Sequence, residues 1–129
     1  MDPVVHFELP AADRERMVAF YERAFGWQTE QLGAEMGNYT VVRTTETADG
    51  RPTTPGAING GFFERTDDAA SQAPRVVIGV ADAEATLAAV TEAGGTVDSV
   101  PTMIPGVGLY ASFRDTEGNH LSILQPGAG

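Results

Sequence analysis

Ala12 to Gly26 reads ADRERMVAFYERAFG, and Ala81 to Gly95 reads ADAEATLAAVTEAGG. Laid over one another at an offset of 69, the two stretches agree at Ala12/Ala81, Asp13/Asp82, Glu15/Glu84, Ala19/Ala88, Ala24/Ala93 and Gly26/Gly95, six of fifteen positions without a gap. The matches fall where a capped helix needs them. An aspartate makes a good N-cap because its carboxylate accepts from the free N–H groups of the first turn, and a glycine stops a helix because it enters the left-handed conformation without a Cβ penalty. Between cap and stop, Met17, Phe20, Tyr21, Ala24 and Phe25 have the spacing of a buried helical stripe, with Leu87, Val90 and Ala93 as the counterpart.

Outward from these helices, each is preceded by one strand and followed by three. Val4 to Leu9 alternates, with Val5, Phe7 and Leu9 on one face and Val4, His6 and Glu8 on the other, and Pro10-Ala11-Ala12 breaks it. Strands are expected at Trp27 to Leu32, Tyr39 to Thr45 and Ala57 to Phe63, with a loop from Thr47 to Pro55 around Asp49-Gly50-Arg51-Pro52. The order restarts with a strand at Arg75 to Val80, then strands at Thr96 to Val100, Gly108 to Arg114 and His120 to Gln125. The reading is α+β: one domain, 1–129, of two βαβββ modules, 3–63 and 75–126, joined by a polar linker, 64–74.

The 129 residues carry eight arginines, no lysine, eighteen Asp and Glu for a net charge of −10, and no cysteine. Thiolate nucleophiles, disulfides, Cys-bound zinc, iron–sulfur clusters, Schiff-base lysines and a Walker lysine are thereby excluded. The acidic balance argues against nucleic acid and against anionic membrane surfaces, both of which need a basic footprint. Met1 to His6 shows neither the basic n-region nor the apolar stretch of a secretion signal, so a cytoplasmic location is expected.

If each helix packs on one face of its sheet, the opposite faces are free to enclose a cavity. His6 and Glu8 then project into it from the first strand. Arg75 and Val77 do so from the repeat-equivalent strand, where Val76, Ile78 and Val80 take the core side. On the last strand His120 and Ser122 face the cavity, with Leu121 and Ile123 in the core. An imidazole beside a carboxylate could act with it as general base and orienter, or as two metal ligands, and His6, Glu8 and His120 are the metal set that placement offers. Trp27, Tyr39, Phe62 and Phe63 could line an aromatic pocket, although core packing is the commoner fate of such side chains. Gly56 to Gly61 lacks the lysine and helix of a phosphate loop and reads as a kinked or bulged strand. Asp115 to Asn119 is too short for a calcium loop and reads as a hairpin turn.

Taken together, Val5-His6-Phe7-Glu8-Leu9-Pro10, Ala19 to Trp27, Val80-Ala81-Asp82, Glu92 to Gly95, Ile104 to Gly108 and Asp115 to Asn119 resemble the vicinal oxygen chelate superfamily. That group comprises glyoxalase I, bleomycin-resistance proteins, fosfomycin-resistance transferases and extradiol dioxygenases. The resemblance covers nearly the whole chain and implies paired βαβββ modules with curved mixed sheets enclosing a cavity, commonly in a homodimer. It also implies four metal-ligand positions on the first and last strands of the modules. His6 matches one of them. Arg75 stands where a second His would and cannot lose its proton to bind a metal. Asn59 or Gly60 occupies a carboxylate position, and Ser122 a Glu position. The expectation is therefore a protein that binds a small organic ligand without the usual metal, with Arg75, Ser122, His120 and Asn59 as ligand contacts. The alternative is a lyase, isomerase or dioxygenase-type enzyme using His6 and Glu8 as acid–base groups or in a rearranged divalent-metal site.

Overall fold

The computed structural model describes residues 1–127; the last two positions of the expected domain, 128 and 129, lie outside the described residues. The architecture is α+β. The chain forms two compact units, one of His6–Pro74 and one of Met1–Val5 with the chain from Arg75 onward.

The unit His6–Pro74 holds most of β1 (Val4–Ala11), then α1 (Arg14–Phe25), β2 (Gln28–Gln31), β3 (Thr40–Arg43), β4 (Thr47–Ala48), β5 (Arg51–Pro52) and β6 (Asn59–Glu64). β1 runs parallel to β6 from His6↔Asn59 to Ala11↔Glu64. β3 lies antiparallel to β6, and β2 to β3, which gives the order β2-β3-β6-β1. The caps form as expected: the Arg16 N–H donates to Asp13 at 3.1 Å, and Gly26 ends α1 at φ 72°. Ala11, Val18, Val42 and Phe62 make the core beneath α1, with Phe7, Leu9, Met17, Tyr21 and Trp27 packed around it.

α1 buries a narrower stripe than its spacing predicts. Phe20 and Phe25 are 57% and 63% exposed, Ala24 is exposed as well, and Val18 takes the central buried place. The cause is a second aromatic layer: Tyr21 stacks on Trp27 at 4.7 Å and 8°, and Phe25 packs outside both rings rather than entering the core. Pro10 does not break β1, which continues to Ala11, whose carbonyl accepts from the Arg65 N–H at 3.0 Å. A proline fits an extended strand where its missing N–H is not needed. The expected loop Thr47 to Pro55 closes as the β4–β5 hairpin, with Asp49 and Gly50 both at positive φ, as a two-residue turn requires. The glycine-rich segment is not bulged either. From Asn59 it is β6, in register with β1 and β3, and its glycines make room: a Cβ on Gly60 would meet the Phe7 ring at 2.4 Å, and one on Gly61 the Tyr39 hydroxyl at 1.8 Å.

The second unit adds β7 (Arg75–Gly79), α2 (Ala83–Glu92), β8 (Thr96–Val97), β9 (Thr102–Ile104), β10 (Gly108–Arg114) and β11 (His120–Pro126). β7 is parallel to β11, β11 antiparallel to β10, and β8 and β9 both pair with β10. Asp82 caps α2 by accepting from Ala85 at 3.0 Å, and the Gln125 side chain takes the Ala83 N–H at 2.8 Å. Asp115 turns the β10–β11 hairpin, its carboxylate accepting from the backbone of Glu117 and Asn119 at 2.9 Å each. Val80, Ala83, Leu87, Ala111, Phe113 and Ile123 form this core. Val76 and Ala93, expected inside, are exposed, whereas Val77 is buried. Val77 pairs with the fully buried Ser122 and shares its face, while the next residue of β11, Ile123, is buried on the opposite face, so both faces of β11 are covered at this level. Among the described residues no helix is long and apolar enough to cross a membrane.

Candidate functional site

Packing of Phe7 and Leu9 under α1 sends His6 and Glu8 to the opposite face of the sheet. Gly61, the partner of Glu8, and Val41, the partner of Gly61, share that face. Tyr39 precedes β3 and lays its phenol across Gly61, where any side chain would collide with it. The Tyr39 hydroxyl donates to Glu8 Oε2 at 3.0 Å and lies 3.1 Å from His6 Nε2. Glu8 is buried, and His6 is half-buried.

A phenol has one hydrogen, and an ionised carboxylate only accepts. With that hydrogen on Glu8, the phenol oxygen accepts from His6, which fixes the neutral imidazole as its Nε2–H tautomer. The Nδ1 lone pair is left as the acceptor on this face, without a hydrogen-bond partner among the described residues. Burial holds the His6 pKa below its ordinary 6.5, and the Glu8 charge offsets this only in part, so the folded protein favours the neutral ring.

A pH dependence follows. As pH falls through about 6.5 the unfolded chain takes up its histidine proton before folded His6 does, so stability drops with falling pH and levels off below the lowered folded pKa. Urea unfolding at several pH values should show this decline, and His6→Gln should flatten it.

The other expected contacts are placed differently. Asn59 stands beside His6 across the β1–β6 pair, but its amide is spent on structure, accepting from the Thr44 N–H at 3.0 Å and donating to Thr47 Oγ1 at 2.9 Å. The buried Ser122 hydroxyl lies 2.6 Å from the Tyr110 hydroxyl. His120 sits 3.7 Å from Asp98, which also accepts from Arg114 at 3.0 Å, in a surface charge cluster. Arg75 is half-buried at the start of β7. Trp27 and Phe62 belong to the packing under α1.

Among the described residues no group of three or more His, Asp or Glu side chains is arranged to hold a metal ion. Asn59, which stands at the carboxylate position, lies opposite His6, and Gly61 lies opposite Glu8, where the Tyr39 phenol fills the volume a side chain would take. Tyr39 is the residue that sequence reasoning placed only in an aromatic pocket. The signal for it was present: a tyrosine opening one strand and a glycine in the neighbouring strand, both facing the His6–Glu8 side.

A separate cleft of about 600 Å³ opens where β2 and β3 meet the β4–β5 hairpin, lined by Gln28, Arg43, Thr45, Glu46, Thr47 and Thr53 among others.

A family model described as a glyoxalase-like domain matches residues 5–124. The chain is 32% identical over 124 residues to a glyoxylase-like domain-containing protein of Didymella fabae, covering 93% of this chain and 91% of that one. A methylmalonyl-CoA epimerase solved with methylmalonyl-CoA and NH4+ has a TM-score of 0.72 at 20% identity, covering 99% of this chain and 96% of that one. A Streptomyces coelicolor methylmalonyl-CoA epimerase with 2-nitronate-propionyl-CoA has a TM-score of 0.69 at 20% identity, covering 97% of each chain. At that identity the likeness to the epimerases is one of fold.

Proposed function

The chain belongs to the glyoxalase-like domain family of the vicinal oxygen chelate superfamily, and within it we propose a protein that binds a small organic ligand on the His6–Tyr39–Glu8 face without the four-ligand metal site. The observation that carries this is the relay itself. A buried carboxylate holds the phenol, the phenol holds one imidazole tautomer, and the His6 Nδ1 lone pair is left as an acceptor. A few fixed polar groups on an otherwise apolar surface are what small-molecule sites use to orient a ligand. A homodimer and a cytoplasmic location belong to the same reading; light scattering should return the mass of two chains.

The tautomer also favours a second reading, as an enzyme. A neutral imidazole with a free Nδ1 lone pair is a general base, and the Tyr39–Glu8 pair would stabilise the imidazolium formed when His6 takes a proton from an acidic C–H or O–H. Epimerases of this fold bind thioester ligands, so turnover of such compounds is the assay for this reading.

Histidine 15N NMR tests the relay. His6 should show Nε2 protonated and Nδ1 free, and ligands from a small-molecule panel should move the Nδ1 signal. Tyr39→Phe should release the tautomer and weaken binding by about tenfold, the worth of one hydrogen bond in a half-buried site. A protonated Nδ1 in the wild type, or an unchanged tautomer in Tyr39→Phe, would show that the phenol does not orient the ring.

A further inference from the structure

Arg14, in the first turn of α1, reaches to the chain between β2 and β3. Its Nη1 nitrogen donates to the Leu32 carbonyl at 2.7 Å and to the Asn38 carbonyl at 2.8 Å, and lies 3.5 Å from the Tyr39 carbonyl oxygen. One nitrogen therefore ties the first residue of the loop to its last two. Hydrogen bonds from a charged donor are roughly twice as strong as neutral ones, and a planar guanidinium loses little freedom in making them.

The path of this loop is not fixed by packing. Gly33 to Gly37 are all exposed, and the 3-10 turn over Ala34–Met36 buries no side chain. Gly37 and Asn38 stand side by side at φ 67° and 55°, the second without glycine's freedom. Inside the loop the Met36 and Asn38 N–H groups both donate to the Gly33 carbonyl at 3.0 Å. β3 starts at Thr40, so its ladder secures Tyr39 from one side, and past Thr40 the pairing with β2 continues through the Leu32 N–H, which donates to the Tyr39 carbonyl at 2.8 Å. Tyr39 carries the phenol that touches Glu8 at 3.0 Å and His6 at 3.1 Å. A shift of its backbone moves the hydroxyl at the far end of the side chain, and hydrogen bonds weaken steeply once distance and angle are lost.

We propose that Arg14 is a positioning residue for the relay. By clamping the Leu32–Tyr39 loop to α1 it sets where the Tyr39 hydroxyl stands and, through that hydroxyl, which His6 nitrogen is left to accept from a ligand. This rests on the reading that the relay face is the ligand site, and it adds a residue that lies outside the relay itself.

Histidine 15N NMR on the full chain tests it. In Arg14→Ala the ratio of the Nε2–H to the Nδ1–H tautomer of His6 should fall about tenfold, the worth of one hydrogen bond. Arg14→Lys, whose single ammonium can face both carbonyls, should stay near the wild-type ratio. Val18→Ala, which empties part of the core beneath α1, should lower the urea midpoint and leave the ratio alone. Arg14 and Asn38 border a cavity of about 150 Å³, so in Arg14→Ala about 20 mM guanidinium chloride, far below unfolding concentrations, should restore the ratio where sodium chloride does not. In the wild type the Arg14 Nη1 protons should be resolved from those of Nη2 and exchange slowly with water, a reading that needs no variant to fold. An unchanged ratio in Arg14→Ala, where Tyr39→Phe lowers it, overturns the proposal and leaves the relay standing. An unchanged ratio in both overturns the relay reading as well. A ratio lowered equally by Val18→Ala, or Nη1 protons in fast exchange, also overturns the proposal.

Discussion

Replacing Gly61 with alanine is expected to cost about 2 kcal/mol of stability, in the range for forcing an extra methyl group into a packed site, and to release the His6 tautomer. The added Cβ would fall 1.8 Å from the Tyr39 hydroxyl and 2.1 Å from the ring carbon bearing it, so the phenol has to leave its place against Glu8 and His6. Urea unfolding reads the first effect and histidine NMR the second. The cause can be isolated with Tyr39→Ala, which removes the obstacle. In that background Gly61→Ala should cost under about 0.5 kcal/mol, because the two positions are coupled through one contact. Additive losses would mean that the glycine is needed for its backbone and not for the space it leaves.

Gly108→Ala should be more damaging, at roughly 3 kcal/mol or a fall of about 10 °C in Tm. Two costs add at this position. Its φ of 141° is disfavoured for a residue with a Cβ, and that Cβ would lie 2.0 Å from the Gln125 carbonyl oxygen and 2.8 Å from the Gly127 nitrogen. Those atoms are backbone of the β11 end and cannot rotate aside as a phenol can. Gly106 is the control, with φ 76° and nothing within 4 Å of its Cβ position. Gly106→Ala should carry only the backbone cost, about 1 kcal/mol. Thermal unfolding of the two variants side by side decides whether close approach or conformation dominates.

The parts of this structure that could be read in the sequence are those set by local chemistry. Asp13, Asp82 and Gly26 mark helix ends because a cap is a contact within one turn, and alternation put His6 and Glu8 opposite Phe7 and Leu9 because a strand has only two faces. What escaped depends on register. The spacing of Phe20 and Phe25 is that of a buried stripe, yet Tyr21 and Trp27 occupy the inner layer first. Tyr39 joins His6 only because β3 and β1 flank the same β6 glycine, a coincidence of three strands that no single segment encodes. Asn59 stands on the last strand of the first module and lies next to His6. Its amide, however, is taken up by Thr44 and Thr47, partners twelve and fifteen residues away.

The stack of Tyr21 on Trp27 gives the molecule an optical label. Trp27 is the only tryptophan of the chain, and its ring is clamped between α1 and the start of β2 with Phe7, Tyr21 and Phe25 around it. Its fluorescence therefore reports the docking of α1 within His6–Pro74, while the unit that contains α2 contributes no indole signal. Emission and far-ultraviolet circular dichroism followed through one denaturation would separate the melting of the first unit from that of the whole chain, without any engineered probe.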